Sequence, residues 1–187
     1  SEFEIKVSNC EEIITSSEPK QVTMELAEQK AMAAATELNR QKKNDKQIET
    51  TVKDEDSFIV IGADTVVASG TEIFGKPKDK HDARRMINKI SGASHQVYTG
   101  VTLVLVKGGN VKCIDVFSEK TDVEVVHMSI QEIEEYISST EPYDKAGGYG
   151  IQGTFGKYVT GIKGDYNNVV GLPVCRLYNE LKKCTKN

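Results

Sequence analysis

The sequence predicts an α/β fold, as one domain or as two small lobes that share a cleft. Three observations carry this. The chain has 187 residues, a length that suits a single α/β core. An apolar stripe at helical spacing lies near its start. Beyond it, short apolar runs bounded by glycine alternate with further helical patterns.

Phe3-Glu4-Ile5-Lys6-Val7 alternates apolar and charged residues and reads as a first strand. A helix is expected over 23–40. Thr23 is its candidate cap, and Met24, Ala27, Ala31, Ala34 and Leu38 form its stripe. Lys30 borders that stripe, where the plain reading is a snorkelling lysine. Residues 41–57 crowd charges of both signs among few apolar side chains, the pattern of a mobile loop or insertion. Phe58-Ile59-Val60-Ile61-Gly62 is a continuous apolar run stopped by glycine, as in a buried strand. Asp64 comes just after it. A carboxylate there is costly unless it serves a metal or a hydrogen-bond network; a structural turn is the competing reading. Open α/β sheets place ligands outside such strand ends.

Gly75-Lys76-Pro77-Lys78 is a loop. A helix over 82–90 buries Ala83, Met86, Ile87 and Ile90, and Ser91-Gly92 stops it. Residues 97–106 read as a strand, with a bend or bulge at Thr99-Gly100. Gly108-Gly109-Asn110 is a hairpin turn, its return strand covers 111–117, and another strand covers 122–128. Ser129-Ile130-Gln131-Glu132 is a capping box. It opens a helix with the stripe Ile130, Ile133, Tyr136 and Ile137, ending near Pro142. A glycine-dense stretch occupies 147–153, and a strand is expected over 158–162. The last helix begins near Pro173 and is expected to bury Val174, Leu177, Tyr178 and Leu181.

Composition narrows the function. A net charge of −4 argues against a nucleic-acid partner, which needs a basic face. An anionic substrate would need local cations instead. No apolar run approaches a membrane span, and the acidic start carries no signal pattern, so a cytoplasmic setting is expected. Cys10, Cys113, Cys175 and Cys184 include no C-x-x-C pair; reduced thiols are expected rather than a zinc site or disulfides.

Asp64, Lys76, the run from Asp144 to Gly150, and Gly164-Asp165-Tyr166 each place charge beside flexible backbone. Glycine-rich backbone can approach phosphates, yet neither a Walker nor a Rossmann fingerprint is present. In this order the segments are specific. Ile61-Gly62-Ala63-Asp64-Thr65-Val66-Val67 is succeeded by Gly75-Lys76-Pro77, Ile90-Ser91-Gly92, His95 and Tyr98-Thr99-Gly100-Val101. Next comes Glu141-Pro142-Tyr143-Asp144-Lys145-Ala146-Gly147-Gly148-Tyr149-Gly150-Ile151-Gln152-Gly153. Gly164-Asp165-Tyr166-Asn167-Asn168-Val169-Val170-Gly171-Leu172-Pro173 closes the series.

Over most of its length the chain resembles the Maf family of nucleotide pyrophosphatases. Its Ile-Gln-Gly and Val-Val-Gly-Leu-Pro forms resemble the branch that acts on dTTP and UTP. The resemblance implies a mixed twisted sheet with flanking helices around a cleft, a Mg²⁺ or Mn²⁺ cofactor, and a homodimer. It implies Asp64 as proton acceptor close to the metal, with Glu12 as a second acidic ligand and Glu11 as the fallback. It implies Lys30 and Lys76 on the phosphates, and Thr65 and Gln152 as the positions that set base preference. The family begins with a strand and a Ser-x-Arg-Arg loop that grips the triphosphate. Phe3 to Glu12 match the family only in the segment C-terminal to that loop, so the loop itself is expected upstream of Ser1. Arg84-Arg85 lies in another helix and is expected at the surface. Two alternatives stay open: a pyrophosphatase for other or modified nucleotides, and a catalytically impaired nucleotide-binding module.

Overall fold

The structure, a computed structural model, describes residues 3–8, 10–46 and 57–184. The helices are α1 (Pro19–Lys46), α2 (Lys80–Ile90), α3 (Ile130–Ile137), α4 (Tyr166–Val170) and α5 (Val174–Cys184). The strands are β1 (Phe58–Ser69), β2 (Glu72–Phe74), β3 (Ser94–Lys107), β4 (Asn110–Val125) and β5 (Val159–Lys163). They form one five-stranded sheet in the order β2-β1-β3-β4-β5, and every pairing is antiparallel. No helix of the described residues is long and apolar enough to cross a membrane. The four cysteines are free thiols.

The strands put alternate side chains on opposite faces, and the two faces are covered differently. Val66 packs with Val22 and Leu26 of α1, and Val104 and Val106 pack with Ala31 and Ala35. The other face holds the larger core: Val67, Val97 and Val123 meet α2, α3 and the aromatic group Tyr149, Phe155 and Tyr158. Val101, Leu103 and Phe117 pack on Leu177 of α5.

Why α1 lies so close to the sheet is written in small residues. A Cβ on Gly100 would stand 2.1 Å from the Thr23 carbonyl oxygen, and one on Gly62 would stand 2.5 Å from that of Ala27. The bulge expected at Thr99-Gly100 is therefore absent: β3 runs straight past, and the glycine makes room for a helix. The register shift in β3 falls between Leu103 and Val104 instead.

Several expectations are corrected. Phe3 to Val7 form no strand; Phe3, Ile5 and Val7 are exposed. Alternation makes a strand only where another strand takes its N–H and C=O groups, and none of the described strands does so. Thr23 does not cap α1. It lies inside the helix, fully buried, and its hydroxyl donates to the Lys20 carbonyl and contacts Ser118 Oγ at 3.0 Å. The helix starts four residues earlier, at Pro19, and continues through Lys46 where a loop was expected; 47–56 lie outside the described residues. The strand at 58–62 does not stop at Gly62 but runs to Ser69. Its first half is only partly covered, with Ile61 exposed. The strands expected at 111–117 and 122–128 are one continuous β4. Ile130 is exposed although it sits in the apolar stripe of α3, and Val174 and Tyr178 are exposed on α5, where Leu177 carries the burial. By contrast the α3 capping box, the α2 stripe and its stop at Gly92 are as expected.

Candidate functional site

β2 pairs with β1 only at Val67, Ala68 and Ser69. No described strand covers the outer edge of β1 before that point. Side chains from both faces reach the opening, and a cleft of about 980 Å³ wraps round it. Asp64 and Thr65 are consecutive, so they point to opposite faces, and both line the cleft. Asp64 thus sits in mid-strand, opposite Gly100 of β3, and not beyond a strand end. The strand-end rule of open parallel sheets does not locate this site. The open sheet edge does.

The cleft gathers the candidates from distant segments: Glu12 before α1, Lys30 on α1, Asp64 and Thr65 on β1, Lys76 after β2, and Gln152 in the glycine-dense stretch. Glu11, the fallback for Glu12, is not among its lining residues.

Lys30 does not snorkel. Its ammonium donates to Asp64 Oδ1 and lies 2.9 Å from Glu12 Oε1. The Asp64 side chain is 14% exposed and that of Lys30 is 26% exposed. Burial pushes the Asp64 carboxyl above its ordinary range. The hydrogen bond and charge of Lys30 oppose this, Glu12 adds to it, and the charge of Lys76 opposes it. For Lys30, burial alone would lower the ammonium, but hydrogen bonds to Asp64 and Glu12 outweigh it and the net direction is upward. The cluster therefore keeps a fixed cation beside a carboxyl that takes up a proton more readily than usual.

Thr65 contacts Thr99 Oγ1 at 2.9 Å across the β1–β3 pair. Thr99 donates to the Asn168 carbonyl at 3.0 Å, which ties α4 to the sheet. Gln152 is exposed and its amide is unengaged among the described residues. The turn that carries it is anchored from below by Glu141. Thr154 donates to Glu141 Oε2 from its main-chain N at 2.9 Å and from Oγ1 at 2.7 Å. The Tyr136 hydroxyl donates to Oε1 at 3.2 Å. A Cβ on Gly153 would stand 2.3 Å from that carboxylate, so the glycine lets the turn close down on it. Burial raises the Glu141 carboxyl, but the Thr154 and Phe155 donors win and hold it below the usual range.

His95 is buried, with Nε2 2.6 Å from the Tyr149 hydroxyl, and burial pulls it down to about 4, so it is neutral at pH 7. Tyr149 forms part of the cleft wall. Arg84 and Arg85 are at the surface, paired with Glu134 and with Glu72 and Asp82, respectively.

Thr99, Asn168 and Glu141 are site-shaping residues that sequence reasoning passed over. Thr99 and Asn168 stood in matched segments and Glu141 in a helix-ending Glu-Pro, but nothing local shows which remote backbone each would bind.

Known proteins match this chain over nearly its whole length. A family profile described as "Maf-like protein" matches residues 1–184. A protein of Agathobacter rectalis named dTTP/UTP pyrophosphatase is 50% identical over 182 residues, 97% of this chain and 87% of its own. Proteins with the same name from Lachnoclostridium phytofermentans and Koribacter versatilis are each 42% identical, again over 97% of this chain and over 84% and 83% of theirs. With the profile spanning nearly the whole sequence, the chain belongs to the Maf family.

Proposed function

We propose that this protein is a metal-dependent nucleoside triphosphate pyrophosphatase, hydrolysing dTTP and UTP to the monophosphate and pyrophosphate. The observation that carries the reading is the convergence of Lys30, Lys76 and Asp64, from three separate elements, in one cleft. The names of the relatives supply the substrate class.

Cleavage of the α–β anhydride requires water to be aligned and deprotonated while negative charge is neutralised. Asp64, held by Lys30, faces the cleft as the base that takes the proton of water as its oxygen attacks the α-phosphorus. Lys30 and Lys76 face the phosphate oxygens, so pyrophosphate leaves as a neutralised anion. The carboxylates of Glu12 and Asp64 already converge on a single cation, the Lys30 ammonium. Two such oxygen donors suit a hard divalent ion that keeps water and phosphate as its other ligands, although no cluster of three acidic, His or Cys ligands exists among the described residues. When bound, Mg²⁺ or Mn²⁺ would neutralise phosphate charge and acidify water. Gln152 can both donate and accept, which suits the O4/N3 edge of uracil and thymine.

The test is pyrophosphate release from dTTP, UTP, CTP, ATP and GTP in the presence of Mg²⁺ or Mn²⁺. The expected result is a higher kcat/KM for dTTP and UTP than for the other three. Equal values for dTTP and GTP would remove the pyrimidine assignment. The same reading takes the protein as cytoplasmic and as a homodimer, and sedimentation velocity checks the dimer.

A further inference from the structure

Each threonine hydroxyl carries one proton and two lone pairs. Thr99 Oγ1 lies 3.0 Å from the main-chain carbonyl oxygen of Asn168, a group that can only accept. The Thr99 proton is committed to it. Thr65 Oγ1 lies 2.9 Å from Thr99 Oγ1, and the proton left for that contact is the one on Thr65. The order cannot reverse, because the carbonyl has no proton to give, and neighbouring bonds hold Asn168 in place. Asn168 Nδ2 donates to the Val97 carbonyl at 3.1 Å and to Thr121 Oγ1 at 3.0 Å, and Thr121 donates onward to the Asp165 carbonyl at 2.9 Å. Thr99, Thr121 and Asn168 are fully buried, so solvent does not offer an alternative partner. Thr65, half-buried, lines the cleft. Its oxygen therefore meets a ligand with lone pairs and no proton.

We infer that Thr99 is a positioning residue that fixes Thr65 as an obligatory hydrogen-bond acceptor, and that the group it accepts from is the imide N3–H of uracil or thymine. The inference rests on the dTTP/UTP reading of the substrate. Cytosine carries a lone pair at N3, so acceptor would face acceptor. A free threonine could rotate and donate to that lone pair at no cost; here the rotation would break the Thr65–Thr99 bond and leave a buried oxygen unmatched. Gln152 cannot make this distinction alone, because an unengaged amide can turn to present either end. Discrimination between uracil and cytosine thus originates in a buried hydroxyl that touches neither base.

The experiment measures kcat/KM for UTP and CTP in the full chain and in Thr99→Val, Thr99→Ala and Thr99→Ser. Valine keeps the shape of threonine and leaves the Asn168 carbonyl its 3.1 Å contact with the Gly171 N–H. With the relay cut, the UTP-to-CTP ratio falls about tenfold, through a gain on CTP as Thr65 becomes free to donate. Serine restores the relay and the ratio. An unchanged ratio in folded valine and alanine variants overturns the inference. So does an equal loss on both nucleotides, or failure of both variants to fold while the serine variant folds, since either result gives Thr99 a purely structural role. If the unmutated protein does not prefer UTP to CTP, the dTTP/UTP reading of the substrate itself fails, which is a separate result.

Discussion

Asp64 is held in a balance that a pH profile can read. Burial raises its carboxyl, while Lys30 and Lys76 pull it back. Ionised Asp64 is the working form of the proposed base, so kcat/KM for dTTP rises with pH through an acid limb set above the ordinary carboxylate range. Lys30→Met removes the nearest opposing charge and shifts that limb to higher pH; Lys30→Arg keeps it near the parent position. A limb that stays in place in Lys30→Met would assign it to another group. Asp64→Asn retains the fold, because one oxygen still accepts from Lys30, and lowers turnover at least about 100-fold, the scale of a lost general base. Circular dichroism and turnover measured on the same sample separate these outcomes. At Gln152 the proposed role predicts that Gln152→Glu flattens or inverts the base preference without abolishing metal-dependent hydrolysis, read as kcat/KM across the five nucleotides.

Two elements owe their place to a few close contacts. The first is α1, which touches the sheet at Gly62 and Gly100 and carries Lys30 into the cleft. Gly100→Ala puts a methyl against the Thr23 carbonyl, where backbone and not a flexible tip must move. The expected cost is about 1–3 kcal/mol, the range for overpacked sites, seen as a lower urea midpoint. Activity falls with it, since a lifted α1 withdraws Lys30 from Asp64. An unshifted midpoint would show that α1 yields freely. The second is the turn carrying Gln152, tied to Glu141 by Thr154 and Phe155. Glu141→Gln sets an amide NH₂ where a main-chain or hydroxyl donor needs an acceptor. The turn loosens and KM for dTTP increases, with kcat less affected because Asp64 and Lys30 are untouched. The folded Glu141 carboxyl lies below the usual range, so its contribution is present at neutral pH and is lost as pH falls through the lowered value.

Across the whole molecule, the net charge of −4 does not attract a triphosphate. The pull is local, from Lys30 and Lys76 at the open edge of β1. Groups on α1, β1, the loop after β2 and the glycine-dense stretch all face one cleft. A ligand bound there ties elements from both faces of the sheet and stabilises the fold as a unit. At a hundredfold excess over Kd, a non-hydrolysable dUTP analogue with divalent metal contributes about 2.7 kcal/mol. For a chain of this size that raises Tm by roughly 5–10 °C. The matching GTP analogue at the same concentration leaves Tm near its starting value. Equal shifts with both would mean that phosphate binding alone holds the ligand.

Parts of this protein that depend on neighbours along the chain are legible in its sequence. The stripe and stop of α2, the capping box of α3 and the glycine turn between β3 and β4 all come from periodicity and capping, which are local. The resemblance carried by the ordered motifs named Asp64, Lys30, Lys76, Thr65, Gln152 and Glu12 as candidates for one site, without any distance. Remote partners decided the rest, and only folding supplies them. Phe3 to Val7 alternates like a strand, but pairing is non-local and no described strand takes it. Thr23 looks like a cap, yet the helix passes through it, and its hydroxyl is satisfied by Lys20 and Ser118. Gly100 looks like a bend, but a helix crossing above requires its missing side chain. Lys30 borders an apolar stripe in sequence, and only the crossing of α1 over β1 turns it toward Asp64. The direction of the Thr65 hydroxyl is further still from the sequence, because it is set by a carbonyl 103 residues along the chain, at Asn168, that folding brings beside Thr99.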